Sequence, residues 1–170
     1  TNGSLLWMPE VRDALMSADL VIPSLDAGAD SLFHYVNRPH EDIPFERMVR
    51  GLVEFTEKFS KSVWLEVFLL AGITGIPSEV ERTSALVKRI RPDRVQLNTV
   101  CRPPAEDYAC ALSQEQMLAF RSAFPGEVDV VACEANKGAQ TAARFLNRDE
   151  DILELLRRRP CTIEDVERGL

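Results

Sequence analysis

The sequence predicts an α/β fold of parallel strands, either a doubly wound sheet or a piece of a β/α barrel. Three observations carry this. From Asp19 to Phe124 the predicted elements alternate strand, helix, strand, helix, strand, helix. The stretch Val63–Gly72 (VWLEVFLLAG) is nearly continuous apolar sequence, which reads as a central parallel strand buried on both faces. Finally, the predicted strand ends are polar: Ser24 and Asp26, then Gly72 with Thr74, then Asn98 and Thr99. Function gathers at the C-terminal ends of strands in such folds.

Taken in order, Thr1-Asn2-Gly3 is a turn signal with no element before it, as if the chain starts within a domain. Pro9 suits the first turn of a helix running to about Ser17. Asp19–Leu25 (DLVIPSL) is the first complete strand, and Asp30 is placed to cap a short helix ending near Tyr35 before Asn37-Arg38-Pro39-His40. In Pro44–Phe59, Phe45, Met48, Val49, Leu52, Phe55 and Phe59 recur at helical spacing as a core-facing stripe. The strand Val63–Ala71 follows. Ser78 with Glu81 reads as a capping box opening a helix to about Arg91. Arg94–Val100 is the next strand, Ser113 with Gln116 caps a helix to Phe124, and Val128–Cys133 is a short strand. Asp149–Arg158 and Thr162–Gly169 form a helix-turn-helix pattern broken at Pro160.

With 170 residues, 45% of them hydrophobic, the chain suffices for one well-packed domain. A net charge of −7 disfavours a nonspecific binder of nucleic acid or anionic membrane, so Arg157-Arg158-Arg159 reads as a helix C-terminus. No apolar run reaches membrane-span length, and a cytoplasmic protein is expected. Cys101, Cys110, Cys133 and Cys161 have no paired CxxC spacing and are expected to be buried reduced thiols; no metal ligands are assigned.

Glu66 is the one charge inside the apolar strand. An ionised carboxylate there needs a cationic or hydrogen-bonding partner, or else points into a polar cavity. The candidates for ligand contact are Ser24, Asp26, Glu66 and Asn98. Against these stand plainer readings: Asp26 as a helix cap, Glu66 in a structural ion pair, Asn98 in a strand-end turn. Arg38 and His40, in a proline-broken loop, are candidates for an anionic substrate, with a solvated loop pair as the alternative.

Thr1-Asn2-Gly3, Asp19–Gly28, Asn37–His40, Trp64–Val67 and Val95–Thr99 together resemble the second half of a radical S-adenosylmethionine (SAM) domain. The nearest likeness is to Fe-S oxidoreductases akin to the tRNA wybutosine-synthesis enzymes. The tail, from Ile152 to Val166, is similar to the start of a winged-helix appendage. The resemblance implies a partial (β/α) barrel over residues 1–147 and a truncated winged-helix-like segment over 148–170. It places Ser24 and Asp26 beside the ribose or methionine part of SAM, Glu66 in the barrel lumen, and Asn98–Val100 beside adenine.

The resemblance also implies a [4Fe–4S] cluster and SAM, with SAM cleaved to a 5′-deoxyadenosyl radical that abstracts hydrogen from an unknown small-molecule or macromolecular substrate. The cluster motif CxxxCxxC is absent from this sequence. The chain is therefore expected to be part of a longer protein, to bind neither cofactor tightly by itself, and to associate into a homo-oligomer through its open edges. The alternative is a non-catalytic interaction module.

Overall fold

The computed structural model describes residues 1–101, 104, 106 and 108–131. Within them lie α1 (Pro9–Leu15), β1 (Leu20–Val21), α2 (Asp30–Asn37), α3 (Phe45–Lys58), β2 (Ser62–Phe68), α4 (Pro77–Ile90), β3 (Arg94–Asn98), α5 (Gln114–Arg121) and β4 (Glu127–Val130). The four strands form one parallel sheet in the order β1-β2-β3-β4. This is the predicted α/β architecture. The expected winged-helix-like segment, and the boundary near residue 147, fall outside the described residues.

Among the described residues, helices cover one face of the sheet. Val63, Leu65 and Val67 of β2, Val95 and Leu97 of β3, and Val128 of β4 are buried in one core with the α3 stripe and with Val80, Val87 and Ile90 of α4. Burying each large side chain stabilises by roughly 1.5–3 kcal/mol. The opposite face carries Trp64, Glu66, Phe68, Gln96 and Asn98, all only half-buried. The expectation that the central strand is buried on both faces therefore fails, because a continuous apolar run does not reveal whether anything covers its second side.

Several boundaries also shift. Pro23 has no N–H to donate, so the β1–β2 ladder breaks after Val21 and resumes as a bridge between Ser24 and Glu66. Asp30 is the first residue of α2 rather than its cap, which is Ala29. The capping box expected at Ser78 and Glu81 does not form: Pro77 takes the first helical position, so the cap is Ile76, with no side-chain bond. At α5 the box does form, with Ser113 and Gln116 bonded reciprocally. Cys110 is a free thiol but exposed, and Cys101 is exposed and disulfide-bonded, so the expected burial fails at both and the expected reduced state fails at Cys101.

The first eight residues are fixed by close approach. A Cβ on Gly51 of α3 would run into the Trp7 backbone nitrogen and lie 2.8 Å from the Leu6 carbonyl carbon. Arg12 locks the same crossing by donating to the Leu6 carbonyl at 2.8 Å and pairing with Glu54 at 2.9 Å. Gly51→Ala should destabilise by about 2–4 kcal/mol, since backbone, not a yielding side chain, is in the way. Gly126 has φ +77° and open space around it, so Gly126→Ala should cost only about 1–2 kcal/mol of left-handed strain. Urea unfolding of the two variants compares them, and equal losses would contradict the packing argument.

Candidate functional site at the strand ends

The site is built around β2. Glu66 donates its backbone N–H to the Pro23 carbonyl at 2.9 Å and accepts from the Leu25 N–H at 2.8 Å, which fixes the register of β1 against it. In parallel register Glu66 lies opposite Gln96, and Phe68 opposite Asn98. The Asn98 Nδ2 donates to Glu66 Oε1 at 2.8 Å. The half-buried carboxylate thus has a hydrogen-bonding partner rather than a cationic one among the described residues. A carboxylate accepts only, so this bond commits the amide nitrogen and leaves Asn98 Oδ1 outward from it. That oxygen is buried and has no partner.

A cleft of about 490 Å³ opens here, with Glu66, Phe68, Asn98, Thr99, Pro104 and Val131 among its walls. On the other side of Glu66 stands Asp26, held by the Asn37 amide at 2.7 Å. Its loop is seated by Gly28, where a Cβ would meet the Arg82 Cβ at 2.7 Å and the Thr83 nitrogen at 2.8 Å. Burial pushes the Asp26 carboxyl up to about 6; the Asn37 hydrogen bond opposes this, the nearby charge of Glu66 adds to it, and the Phe68 backbone N–H opposes it.

The polar strand ends divide into two kinds. The Thr99 hydroxyl donates to the Leu69 carbonyl at 2.8 Å and accepts from the Leu112 N–H at 2.9 Å. Thr74 accepts from the Leu70 N–H at 2.9 Å and donates to the Phe68 carbonyl. Both threonines are buried with their hydroxyls bonded to backbone, so they staple the loops and are not open to a ligand. Ser24, Asp26, Glu66 and Asn98 remain: Glu66 and Asn98 line the cleft, whereas Ser24, bridged to Glu66 from the segment after β1, and Asp26, two residues further on, do not.

Arg38 and His40 stand apart from that group and do not line the cleft. Arg38, with φ 46°, pairs with Glu106 at 2.8 Å and donates to the Tyr108 hydroxyl at 3.2 Å. The Glu106 contact drives the Arg38 pKa up, and Arg38 in turn lowers that of Glu106. Tyr35 packs against Tyr108 in a tilted arrangement with ring centroids 5.0 Å apart. These contacts tie α2 to the loop that supplies Pro104 and Ala109 to the cleft wall. His40 is exposed beside Asp42 at 3.4 Å.

Sequence reasoning missed this tie, and it missed Arg94. On the open face Arg94 bonds Glu127 at 2.6 Å and Asp129 at 2.8 Å and lies 4.9 Å over the Trp64 ring. The alternation in Arg94–Asn98 was the available signal for a side chain on that face.

Among the described residues, four parallel strands with helices on one face and a polar, half-buried second face describe a barrel wall. Solved structures share it. A domain of a pyruvate-formate lyase-activating enzyme from Bacteroides vulgatus superposes with a TM-score of 0.61 at 13% identity, covering 76% of this chain and 78% of that one. A radical SAM methyltransferase from Sphaerobacter thermophilus gives 0.57 at 19% identity, covering 71% and 37%. The fold is that of a partial radical SAM barrel.

No protein-family model matches the chain. A protein named GTPase Obg from Brachyspira hyodysenteriae is 40% identical over 167 residues, 96% of this chain and 24% of its own length. A UPF0026 protein of Helicobacter pylori is 30% identical over 168 residues, 97% of this chain and 52% of its own length. A UPF0026 protein of Methanocaldococcus jannaschii is 30% identical over 108 residues, 64% and 34% respectively. The chain thus spans between about a quarter and about a half of the curated relatives it matches. It has no Gly-Lys pair, so the P-loop on which many GTPases rely is not in this chain.

Within the barrel wall, the raised Asp26 pKa has a measurable sign. Between the ordinary carboxylate value of roughly 3.9 and about 6, the folded protein holds a proton that the unfolded chain has released. Stability from this group is therefore greatest at the acid end and falls as pH rises towards 6. Asp26→Asn should remove that slope, so urea unfolding should favour the variant increasingly from pH 4 to 6 and level off above. Parallel profiles for the two proteins would contradict the burial of Asp26.

Proposed function

We propose that this chain forms the strand-end wall of a radical SAM iron–sulfur enzyme and holds the adenosyl part of SAM. The observation that carries this reading is Asn98 Oδ1, a buried acceptor without a donor, in the wall of a cleft at the C-terminal ends of barrel strands. The fold likeness supports it.

The residues present fit a nucleoside. Adenine presents an amino group and ribose presents hydroxyls, and all of these are donors to acceptors such as Asn98 Oδ1 and Ser24 Oγ. Phe68 and Val131 give the cleft apolar surface against which a base packs. Glu66 fixes the orientation of Asn98, and Thr99 fixes the end of β3 below it. The residues do not fit a metal cluster: among the described residues no group of three His, Cys, Asp or Glu could hold a metal ion. The cluster of the proposed enzyme would belong to sequence beyond this chain. When bound beside such a cluster, SAM supplies a 5′-deoxyadenosyl radical for hydrogen abstraction from substrate. This chain's part is to seat and orient the nucleoside and to line the lumen with Asp26 and Glu66.

The likeness in sequence to the wybutosine-synthesis group extends the proposal to a modification reaction on a substrate still to be found. Among the described residues no helix is long and apolar enough to cross a membrane.

The test begins with the coding frame upstream of Thr1, where the reading requires a CxxxCxxC within a domain-sized span of about one hundred residues. The whole product, reconstituted with iron and sulfide under reducing conditions, should show cluster absorbance and release 5′-deoxyadenosine from SAM. Asn98→Ala should weaken SAM binding about 5- to 100-fold, the equivalent of one buried hydrogen bond. A well-folded whole protein with neither cluster nor SAM cleavage would sink the proposal.

A further inference from the structure

The outer surface collects positive charge where the end of α4 meets α3. A groove of about 430 Å³ lies there, walled by Pro44, Glu46, Arg47, Arg50 and Val53 on one side and by Arg89 on the other. Both sides are held by packing. Met48, Val49 and Leu52 of α3 share the buried core with Val87 and Ile90 of α4, and the Thr56 hydroxyl donates to the Ile90 carbonyl. Arg47 and Arg50 are neighbours one turn apart on α3, and Arg89 reaches the groove from the last turn of α4.

These three guanidinium groups differ from the others in the chain. Arg12, Arg38, Arg82, Arg91 and Arg94 each bond a carboxylate at 3.1 Å or less. Arg50 comes no nearer to Glu54 than 3.7 Å, beyond hydrogen-bond reach, and Glu54 is already bonded to Arg12. Arg47 rests 4.8 Å from the centre of the Trp7 ring, which positions the cation but offers it no acceptor oxygen. Arg89 is exposed, and among the described residues neither it nor Arg47 has a carboxylate partner. Glu46 is the one carboxylate on the wall, so positive charge is in excess.

We infer that this groove binds a small phosphorylated molecule, whose phosphate or diphosphate group is held by Arg47, Arg50 and Arg89. A guanidinium is a planar fork of N–H donors that matches phosphate oxygens two at a time, and forks from two helices converge here. Pro44 and Val53 give the rest of such a molecule an apolar wall. The positive surface is also short: Glu46 lies on its rim and Glu54 one turn further along α3. With a net charge of −7 on the chain, a long polyanion leaving the groove meets repulsion, which favours a small ligand over a nucleic acid. The groove lies on the helical side of the sheet, away from Glu66 and Asn98, so this ligand is separate from the nucleoside proposed above.

The experiment titrates inorganic pyrophosphate into the whole protein by calorimetry, at low salt and without divalent metal. Pyrophosphate should saturate with a Kd below about 1 mM. Arg47→Gln and Arg89→Gln, one from each helix, should each weaken binding at least about tenfold, the equivalent of one charge-assisted contact. Lys88→Gln removes the same charge from an exposed neighbour that does not line the groove, and should change affinity by less than about twofold. Urea unfolding checks that each variant is folded, and a single-stranded RNA of about twelve nucleotides is titrated in parallel.

No saturable binding of pyrophosphate up to about 10 mM would overturn the inference. Full affinity in either folded arginine variant would do the same, as would an equal loss in Lys88→Gln, which would reduce the effect to general surface charge. RNA binding at least about tenfold tighter than pyrophosphate, and lost in Arg89→Gln, would overturn the small ligand in favour of a nucleic-acid backbone.

Discussion

The placement of one carboxylate governs this structure. Glu66 sits in the middle of the central strand, its backbone clamped to Pro23 and Leu25 of the preceding segment and its side chain tied to Asn98 of the next strand. Strand geometry forces the rest: with Val63, Leu65 and Val67 turned into the helical core, Glu66 must face the other way. A carboxylate on that face is tolerable only if the face is polar or wet. The open side of the sheet is both, with Gln96, Asn98 and Asp129 beside it. Covering that side with an apolar layer, as in a doubly wound sheet, would strand the charge.

The helical face and the open face do different jobs. Phe55, Leu52 and Val49 of α3 and Val87 and Ile90 of α4 are fully buried and supply the stability. The open face spends part of it, holding a buried acceptor without a partner and, in Asp26, a carboxyl that burial pushes up to about 6. Such costs concentrate where a ligand is to be met. At the strand starts the same face is self-satisfied, because Arg94, Glu127, Asp129 and Trp64 complete one another. One end of the sheet is thus internally paired and the other is left for something else, which is the polarity expected of a barrel wall.

The alternation of elements and the α3 stripe were legible in the sequence because both rest on local periodicity. The capping box at Ser113 was legible as well, while the same pattern at Ser78 misled, because Pro77 had already claimed the first turn. The four polar positions Ser24, Asp26, Glu66 and Asn98 could be read as strand-end residues, and their mutual arrangement followed from parallel register. Their separation from Thr74 and Thr99 could not be read. Those hydroxyls are consumed by backbone groups of loops whose paths depend on tertiary packing. The role of Arg38 was hidden for the same reason: its partners Glu106 and Tyr108 are some seventy residues away, and no local pattern joins them.

The strand-end site depends on the Glu66–Asn98 hydrogen bond spanning β2 and β3. A double-mutant cycle with Glu66→Ala and Asn98→Ala, read by urea unfolding at neutral pH, measures that bond most directly. A charge-assisted, half-buried contact should give a coupling of about 1–2 kcal/mol. A coupling within a few tenths of a kcal/mol of zero would mean that the two side chains do not depend on each other, and the site described here would lose its foundation.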